Sequence, residues 1–209
     1  YMEKRKVLFI SQEMMPYMAS ENEIAKMSRL VPQGIQEQGF EIRTFMPRFG
    51  CINERRHQLH EVIRLSGMNI IVNDSDQPLI IKVASIPTAR MQVYFIDNEE
   101  YFQRKSTLSQ EDGKFYSDND ERAIFYIKGV FETVKKLGWA PDVIHCNGWM
   151  ASLVSAYLRN VYQNDPVFSG AKLVVSLYSS DSFEGELAAD FSKKVLMADM
   201  TKDQYNVTK

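Results

Sequence analysis

The residues of this sequence that could bind a metal ion are two cysteines and a group of acidic side chains. Cys51 and Cys146 lack the Cys-x-x-Cys or histidine spacing that zinc binding or thiol redox chemistry requires. The acidic group, Glu111-Asp112 with Asp118 and Asp120, lacks the Asp/Asn/Gly pattern of a calcium loop. We therefore predict no metal site and interpret these carboxylates as solvated surface charge.

Four further side chains stand where predicted strands or helices begin or end. Glu13 follows the first predicted strand and is the best ligand candidate by position, with capping of the next turn as its structural alternative. His145 ends a later strand and is either a ligand or a buried structural histidine. Trp149 follows it and either stacks on a ring-shaped ligand or packs into the core. Asp118 precedes a helix, where its carboxylate is either a ligand or an N-cap.

The first elements that must position these residues form a strand and a helix. Lys6–Ser11 is a short apolar run with β-branched and aromatic residues, which predicts a buried parallel strand. Apolar residues at helical spacing predict an amphipathic helix over Ser20–Gly39, opened by a capping box of Ser20 and Glu23. Pro32 is expected to kink or divide this helix, because proline removes a backbone hydrogen bond.

The middle of the chain is predicted to contain strands and one polar loop. Apolar runs that indicate strands lie at Phe40–Met46, Val62–Val72, Leu79–Ile86 and Met91–Ile96. The last three are close together, with a turn at Asn73–Asp76, which favours an antiparallel β-hairpin insertion over residues 60–96. Asn98–Asp120 is polar and predicts a surface loop with one helical turn at Glu99–Gln103.

The rest of the chain alternates helix and strand. Helices are predicted at Asp120–Leu137, Trp149–Tyr162 and within Glu184–Lys209, and buried strands at Val143–Cys146 and Leu173–Tyr178. This alternation predicts an α/β fold with a Rossmann-like, doubly wound, mostly parallel sheet, in a single domain over residues 1–209. Ligands of such sheets bind at the carboxyl ends of the strands, which is where Glu13 and His145 are expected.

Composition excludes several functional classes. With 25 basic and 27 acidic residues, the formal net charge of -2 offers no broad attraction for nucleic acid or an anionic membrane. No apolar run approaches the roughly 20 residues of a membrane helix. The two cysteines could form at most one disulfide, which a core of this size does not require, so we expect reduced thiols and a cytoplasmic protein.

Several of the strand ends are similar to one known family. The matching segments are Val7–Glu13 with Pro16-Tyr17, Met46–Gly50, Val93–Phe102, Tyr116–Asn119 with Arg122, and Pro141–Cys146 with Trp149. In their order and spacing, across roughly residues 6 to 180, they resemble the start of bacterial glycogen synthases and plant starch synthases.

The resemblance implies a GT-B glycosyltransferase of glycogen or starch biosynthesis. Such enzymes transfer glucose from ADP-glucose to the non-reducing end of an α-1,4-glucan with retention of configuration. Two Rossmann-like domains face each other across a cleft, the first receiving the glucan and the second holding most of the nucleotide. This chain matches only the first, a single half of the GT-B fold. By resemblance, the residues expected to bind glucan or maltooligosaccharide are Glu13, Asp118, Asn119, His145 and Trp149.

Three signature segments of the family differ here. The family's Lys-Thr-Gly-Gly, which approaches the donor diphosphate, is replaced by Met18–Glu23, which has no glycine and two carboxylates. Lys26 lies at least a turn into the helix and does not take the family lysine's place. The family's His-Asp-Trp is replaced here by Asn147-Gly148-Trp149. Its usual His-Asn is absent from the corresponding segment, Leu177–Ser179.

Two functional hypotheses follow. In the first, the chain is an ADP-glucose glucosyltransferase domain, with no other cofactor, that is active only when a second GT-B domain or protein is supplied. In the second, it is a non-catalytic glucan-binding or regulatory subunit that joins a complete glycosyltransferase. Methionine and aromatic residues exposed at an open cleft would favour the second hypothesis, because an unpaired half should leave apolar surface uncovered.

Overall fold

The computed structural model describes residues 2–179 and 190–206 of the chain. Its strands are β1 (Lys6–Ser11), β2 (Glu41–Pro47), β3 (His60–Glu61), β4 (Asn69–Val72), β5 (Ser75–Pro78), β6 (Ile80–Ile86), β7 (Met91–Asp97), β8 (Val143–Asn147) and β9 (Lys172–Ser176). Its α-helices are α1 (Glu23–Glu37), α2 (Glu54–His57), α3 (Glu99–Phe102), α4 (Asn119–Leu137), α5 (Val154–Asn160), α6 (Phe191–Ala198) and α7 (Lys202–Asn206).

The main sheet is doubly wound, as predicted. Its strand order is β3-β6-β7-β2-β1-β8-β9, and β7, β2, β1, β8 and β9 run parallel. From β1 the chain winds outward through β2 to β7, then returns to the other side of β1 as β8. This reversal places a crevice between the carboxyl ends of β1 and β8, the position where doubly wound sheets bind ligands.

Helix α4 covers one face of the sheet and connects β7 to β8. Its apolar side chains are almost wholly buried, and it ends at Gly138, whose φ of 62° is left-handed, as the sequence predicts. The buried hydroxyl of Tyr126 lies 2.6 Å from the carbonyl oxygen of Ser11 and 3.0 Å from that of Phe45. It therefore holds the ends of β1 and β2 together beneath the crevice. No helix in the described ranges is long and apolar enough to cross a bilayer.

Two predicted helices have different boundaries in the structure. Helix α1 begins at Glu23 and is capped by Asn22, so the predicted start at Ser20 is wrong. It continues through the buried Pro32, which does not divide it. The helix predicted over Trp149–Tyr162 is a 3-10 turn, Trp149–Ala151, followed by the shorter α5.

The predicted hairpin region has two parts. A separate hairpin of β4 and β5 turns at Asn73 and Asp74, both with positive φ. The observed turn is therefore shorter than the predicted turn Asn73–Asp76. β6 pairs antiparallel with β7, which itself joins the parallel part of the main sheet through β2.

The last part of the chain departs most from prediction. Leu173–Tyr178 was expected to be buried, but β9 lies at the edge of the sheet, with Val174 46% and Val175 53% exposed. Leu177, just beyond β9, is 89% exposed. The single helix predicted within Glu184–Lys209 is two short ones, α6 and α7, in the described part of that segment; residues 184–189 and 207–209 lie outside it.

Candidate functional site

The crevice between β1 and β8 is closed at its base by the residue that follows β1, Gln12. The Gln12 backbone N–H donates to the carbonyl of Asn147 at 3.0 Å. Its side-chain Oε1 accepts from the backbone N–H of Met150 at 3.1 Å. Gln12 is only 4% exposed, so its amide ties the end of β1 to the turn after β8 from inside the protein.

Gly148 makes this close approach possible. Its φ of 86° favours glycine, and a Cβ placed on it would lie 2.6 Å from the Cβ of Gln12. The Gln12 side chain thus occupies the space that any larger residue at position 148 would need.

A tyrosine that follows β9 closes the crevice on its other side. The Tyr178 hydroxyl donates to Oδ1 of Asn147 at 2.8 Å, and Nδ2 of Asn147 lies 3.4 Å from Oγ of Ser11. Ser11 and Asn147 are buried. Together with Gln12, these side chains form a neutral polar network, which we call the crevice network: Ser11, Gln12, Asn147 and Tyr178.

The N-terminus of α1 lies beside this network. Oδ1 of Asn22 accepts from the backbone N–H of Ala25 at 2.8 Å, and Nδ2 of Asn22 donates to the Glu13 carboxylate. The Glu13 carboxylate therefore holds the residue that caps the helix. Lys26 is exposed, and its ion-pair partner among the described residues is Glu21, at a long 4.0 Å. The Ala25 amide, one of those that would attract an anion, is thus occupied by the capping side chain, and the Glu13 carboxylate is bonded to that cap.

Asp118 and Asn119 both make contacts within the protein. Arg104 donates to the two Asp118 carboxylate oxygens at 2.7 and 2.5 Å, and Asp118 makes no side-chain cap on α4. Burial is the largest single influence and would raise the pKa of Asp118, but the Arg104 hydrogen bonds and the charges of Arg104 and Arg122 together lower that pKa. Asn119 donates to the carbonyl of Leu108 and accepts from Arg122, so it fastens the preceding loop.

The prediction of solvated surface charge is correct for Glu111 and Asp112 but wrong for Asp120, which is buried, and for Asp118, which is partly buried against Arg104. Glu111 lies 3.0 Å from Lys105, and Asp112 lies 3.6 Å from Lys114, all four side chains being largely exposed. Within residues 2–179 and 190–206, no three histidine, cysteine or acidic side chains come together in a way that could hold a metal ion.

His145 and Trp149 both pack against the interior of the protein. The His145 ring packs on Phe9, with ring centroids 5.3 Å apart, and its Nε2 is 2.6 Å from Oγ of Ser176. Burial lowers the pKa of His145, which favours the neutral imidazole. Trp149 opens the turn after Gly148 and is partly buried against the core.

Comparison with known proteins shows the family. Residues 6–208 match the family model described as the starch synthase catalytic domain. The chain belongs to the starch synthase catalytic domain family. Glycogen synthase of Chlorobium luteolum is 38% identical over 176 residues, which is 84% of this chain and 36% of that protein. Glycogen synthase of Chlorobaculum tepidum is 38% identical over 175 residues, which is 83% of this chain and 36% of the relative.

A solved structure shows the same fold. The catalytic domain of starch synthase IV from Arabidopsis thaliana, bound to ADP and acarbose, superposes with a TM-score of 0.69 at 18% identity. The match covers 83% of this chain and 34% of that one. The chain therefore spans about a third of the length of the starch and glycogen synthases that it matches.

Two residues of the crevice network in this starch synthase family member are not among the predicted ligands. Gln12 is not singled out by the sequence, and Tyr178 belongs to Leu177–Ser179, the segment that differs from the family's usual His-Asn. Gln12 immediately precedes Glu13 at the same strand end, so its position was available as a signal. What the sequence did not indicate is that Gln12 turns inward while the Glu13 carboxylate turns toward α1.

We expect Gly148→Ala to destabilise this family member by about 2 to 4 kcal/mol, through left-handed strain plus collision with Gln12. Gly113→Ala is the matched control, because Gly113 has nearly the same φ, 84°, and no atom within 4 Å of its would-be Cβ. Urea unfolding of both variants isolates the contribution of Gln12. Equal losses in the two variants would show that Gln12 does not restrict position 148.

Proposed function

We propose that this chain is the acceptor-binding part of an ADP-glucose-dependent glucosyltransferase of glycogen biosynthesis. In this proposal it binds an α-1,4-glucan or maltooligosaccharide at the crevice between β1 and β8, and glucosyl transfer requires a second GT-B domain or protein. The observation that carries the proposal is the crevice network, a set of neutral hydrogen-bonding groups at the switch point of the sheet.

Neutral groups at this position suit a sugar better than a phosphate. Each sugar hydroxyl both donates and accepts hydrogen bonds, and amide and hydroxyl side chains can match both roles without desolvating a charge. Tyr178 is partly exposed and offers such a group, while the buried Asn147 accepts its hydrogen bond from below; Glu13 follows Gln12 at the end of the same strand. The related starch synthase IV domain binds ADP and acarbose, which supports a carbohydrate ligand for this fold.

The donor side is where this chain departs from its family. A diphosphate at the N-terminus of α1 would meet the Glu13 carboxylate and the exposed Glu21 and Glu23, and the Asn22 side chain already occupies the Ala25 amide. Catalysis needs donor and acceptor held together, with charge stabilisation at the leaving diphosphate. We therefore propose that donor binding belongs to the two thirds of the family's length that this chain does not span.

A second candidate function is a non-catalytic glucan-binding or regulatory subunit of a complete glycosyltransferase. It is favoured by three apolar side chains at the β9 edge of the sheet, Val174, Val175 and Leu177, which are exposed in the part of the chain that the structure describes. The apolar surface predicted for this role was methionine and aromatic side chains at the cleft, but Met14 is fully buried and Met15 and Met18 are partly buried. We place either function in the cytoplasm, consistent with the two unpaired thiols.

Calorimetric titration with maltohexaose and with ADP-glucose tests the proposal. We expect maltohexaose to bind and ADP-glucose not to bind. Tyr178→Phe should weaken glucan binding about fivefold, the equivalent of one hydrogen bond. Tyr162→Phe is the matched control, because its hydroxyl contacts Glu132 on α4, away from the crevice.

Two outcomes would contradict these assignments. Failure of maltohexaose to bind would overturn the acceptor site. Tight ADP-glucose binding with glucan elongation by the chain alone would overturn its incompleteness. Comparing elongation by a complete glycogen synthase with and without this chain decides between the two functions, since only a regulatory subunit should change that rate.

A further inference from the structure

A second polar cavity lies at the opposite end of the sheet from the crevice. It has a volume of about 260 Å³ and opens between the starts of β2 and β7 and the end of α1. The polar side chains that line it are Gln36, Glu41, Arg43, Arg90, Gln92 and Tyr94. Because it faces the amino ends of the parallel strands, the glucan proposal makes no use of it.

Arg43 is held rigidly in the wall of this cavity. Its guanidinium carbon lies 5.3 Å from the Trp139 ring centroid and 5.7 Å from that of Tyr94, and Nη1 donates to the Tyr94 hydroxyl at 2.6 Å. Nε is shielded from solvent and has no acceptor. A buried donor without a partner is costly, and a guanidinium fixed between two rings loses little further freedom on binding a ligand.

Arg90 supplies a second cation to the same cavity. It is exposed and sits in the turn between β6 and β7 with a left-handed φ of 52°, a strained conformation for arginine. Neither Arg43 nor Arg90 forms an ion pair with a carboxylate in the part of the chain that the structure describes, whereas Arg48 and Arg104 do.

The one carboxylate in the lining is already engaged. Oε1 of Glu41 accepts from the Trp139 indole Nε1 at 2.6 Å. The cavity therefore carries two guanidinium groups against one carboxylate. The amides of Gln36 and Gln92 add neutral donors and acceptors, although Gln36 already makes a long contact, 3.4 Å, with the Arg90 carbonyl.

We propose that this cavity, which we call the Arg43/Arg90 site, binds a phosphate group, either as free phosphate or as a small phosphomonoester. Guanidinium groups match phosphate geometry through paired N–H donors, and the desolvated setting of Arg43 strengthens such bonds. The Glu41 carboxylate opposes a bare dianion but accepts a hydrogen bond from a hydroxyl. The cavity thus favours a phosphomonoester that carries hydroxyl groups over free phosphate.

Titration of the ¹⁵N-labelled chain with inorganic phosphate and with glycerol 3-phosphate, at constant ionic strength, tests the proposal. The chain has two tryptophans: the Trp139 indole N–H donates to Glu41 and reports on the site, and the Trp149 indole, in the turn after β8, is the internal reference. We expect the Trp139 signal to shift with a dissociation constant on the order of 1 mM, while the Trp149 signal stays in place.

Substitution of Arg90 gives the decisive comparison. Arg90→Asn removes the charge with a residue that tolerates left-handed φ, so the turn is preserved. It should weaken binding about tenfold, as should Arg43→Lys, which keeps the charge but loses the paired donors. Arg64→Ala, the same charge loss at an exposed site outside the cavity, should leave affinity unchanged.

The outcomes separate cleanly. Tighter binding of glycerol 3-phosphate than of phosphate supports the ester, and equal binding supports the phosphate group alone. Absence of any Trp139 shift with both probes overturns the proposal, as does equal weakening by Arg90→Asn and Arg64→Ala. None of these results bears on glucan binding at the crevice, so the two proposals fail independently.

Discussion

Gly50→Ala is expected to be among the most damaging single-methyl additions to this protein. Gly50 follows β2 and lies directly against the backbone of Arg104. A Cβ at position 50 would overlap the Arg104 carbonyl group and lie 2.7 Å from the Arg104 nitrogen. Backbone atoms cannot rotate out of the way as a side chain can, so the loop itself must move.

Displacement of Arg104 would also disturb what it holds. Its guanidinium pairs with Asp118 and lies 4.7 Å from the centroid of the Tyr116 ring. We expect a loss of about 3 kcal/mol or more in the free energy of unfolding. Disruption of the ion pair should also return the depressed pKa of Asp118 toward its ordinary value.

Urea unfolding and carboxyl ¹³C NMR of Asp118 measure these two effects. Gly170→Ala is the matched control, because Gly170 has no atom within 4 Å of its would-be Cβ. The control should change stability by less than about 0.5 kcal/mol. If Gly50→Ala behaves like Gly170→Ala and leaves the Asp118 pKa depressed, the close packing of this loop is not what the structure indicates.

Lys194→Met is the second substitution with a large expected effect. Nζ of Lys194, on α6, lies 2.9 Å from Asp120, 3.3 Å from Glu121 and 3.5 Å from Asp190. The Asp120 side chain is completely buried at the start of α4. Removing the cation leaves that carboxylate uncompensated, a change that typically costs about 3 to 5 kcal/mol when a buried pair is broken.

Hydrogen exchange across α6, together with urea unfolding, measures the result. We expect the α6 amides to lose protection, because Lys194 joins α6 to the buried start of α4, whereas the Lys128–Asp199 pair holds only the far end of α6. Lys193→Met is the matched control, since Lys193 is exposed on the same helix. The double variant Lys194→Met/Asp120→Asn should recover part of the loss, because it removes both buried charges. Equal protection in the Lys194 and Lys193 variants would refute this account.

Much of the fold could be predicted because it depends on local patterns. The apolar run Lys6–Ser11 has the bounds of β1, and the helical spacing before Gly138 locates the end of α4. Alternation of strands and helices then restricts the topology, because right-handed crossovers allow few arrangements of a parallel sheet. These signals are contained in short segments of sequence.

The errors arise where distant residues decide the outcome. The residue that caps α1 is Asn22 rather than the predicted Ser20. The Asn22 side chain also donates to Glu13, a contact that a capping box at Ser20 would not make. An apolar run gives the same signal in a central strand and in an edge strand, so the exposure of β9 was not predictable. Asp118 looks like an N-cap locally, but its partner is Arg104.

The sequence predicts where a ligand site of this sheet should lie, but not which side chains form the crevice network. The switch-point crevice follows from topology, and Glu13 lies at its edge. The crevice network joins segments that lie far apart in the chain, with Gln12 filling the space beside Gly148. Only the folded chain shows which residue at each strand end turns inward.

Strand β1 lies between β2 and β8 in the main sheet, so during synthesis it must wait for a partner from each side. Val7 pairs with Ile42 on one side and with Val143 on the other, 136 residues later (143 minus 7). At roughly 5 to 20 residues per second, the ribosome needs on the order of ten seconds to deliver that second partner. Throughout that interval one edge of β1 lacks its native partner and is open to wrong pairings, so we expect chaperone dependence during synthesis.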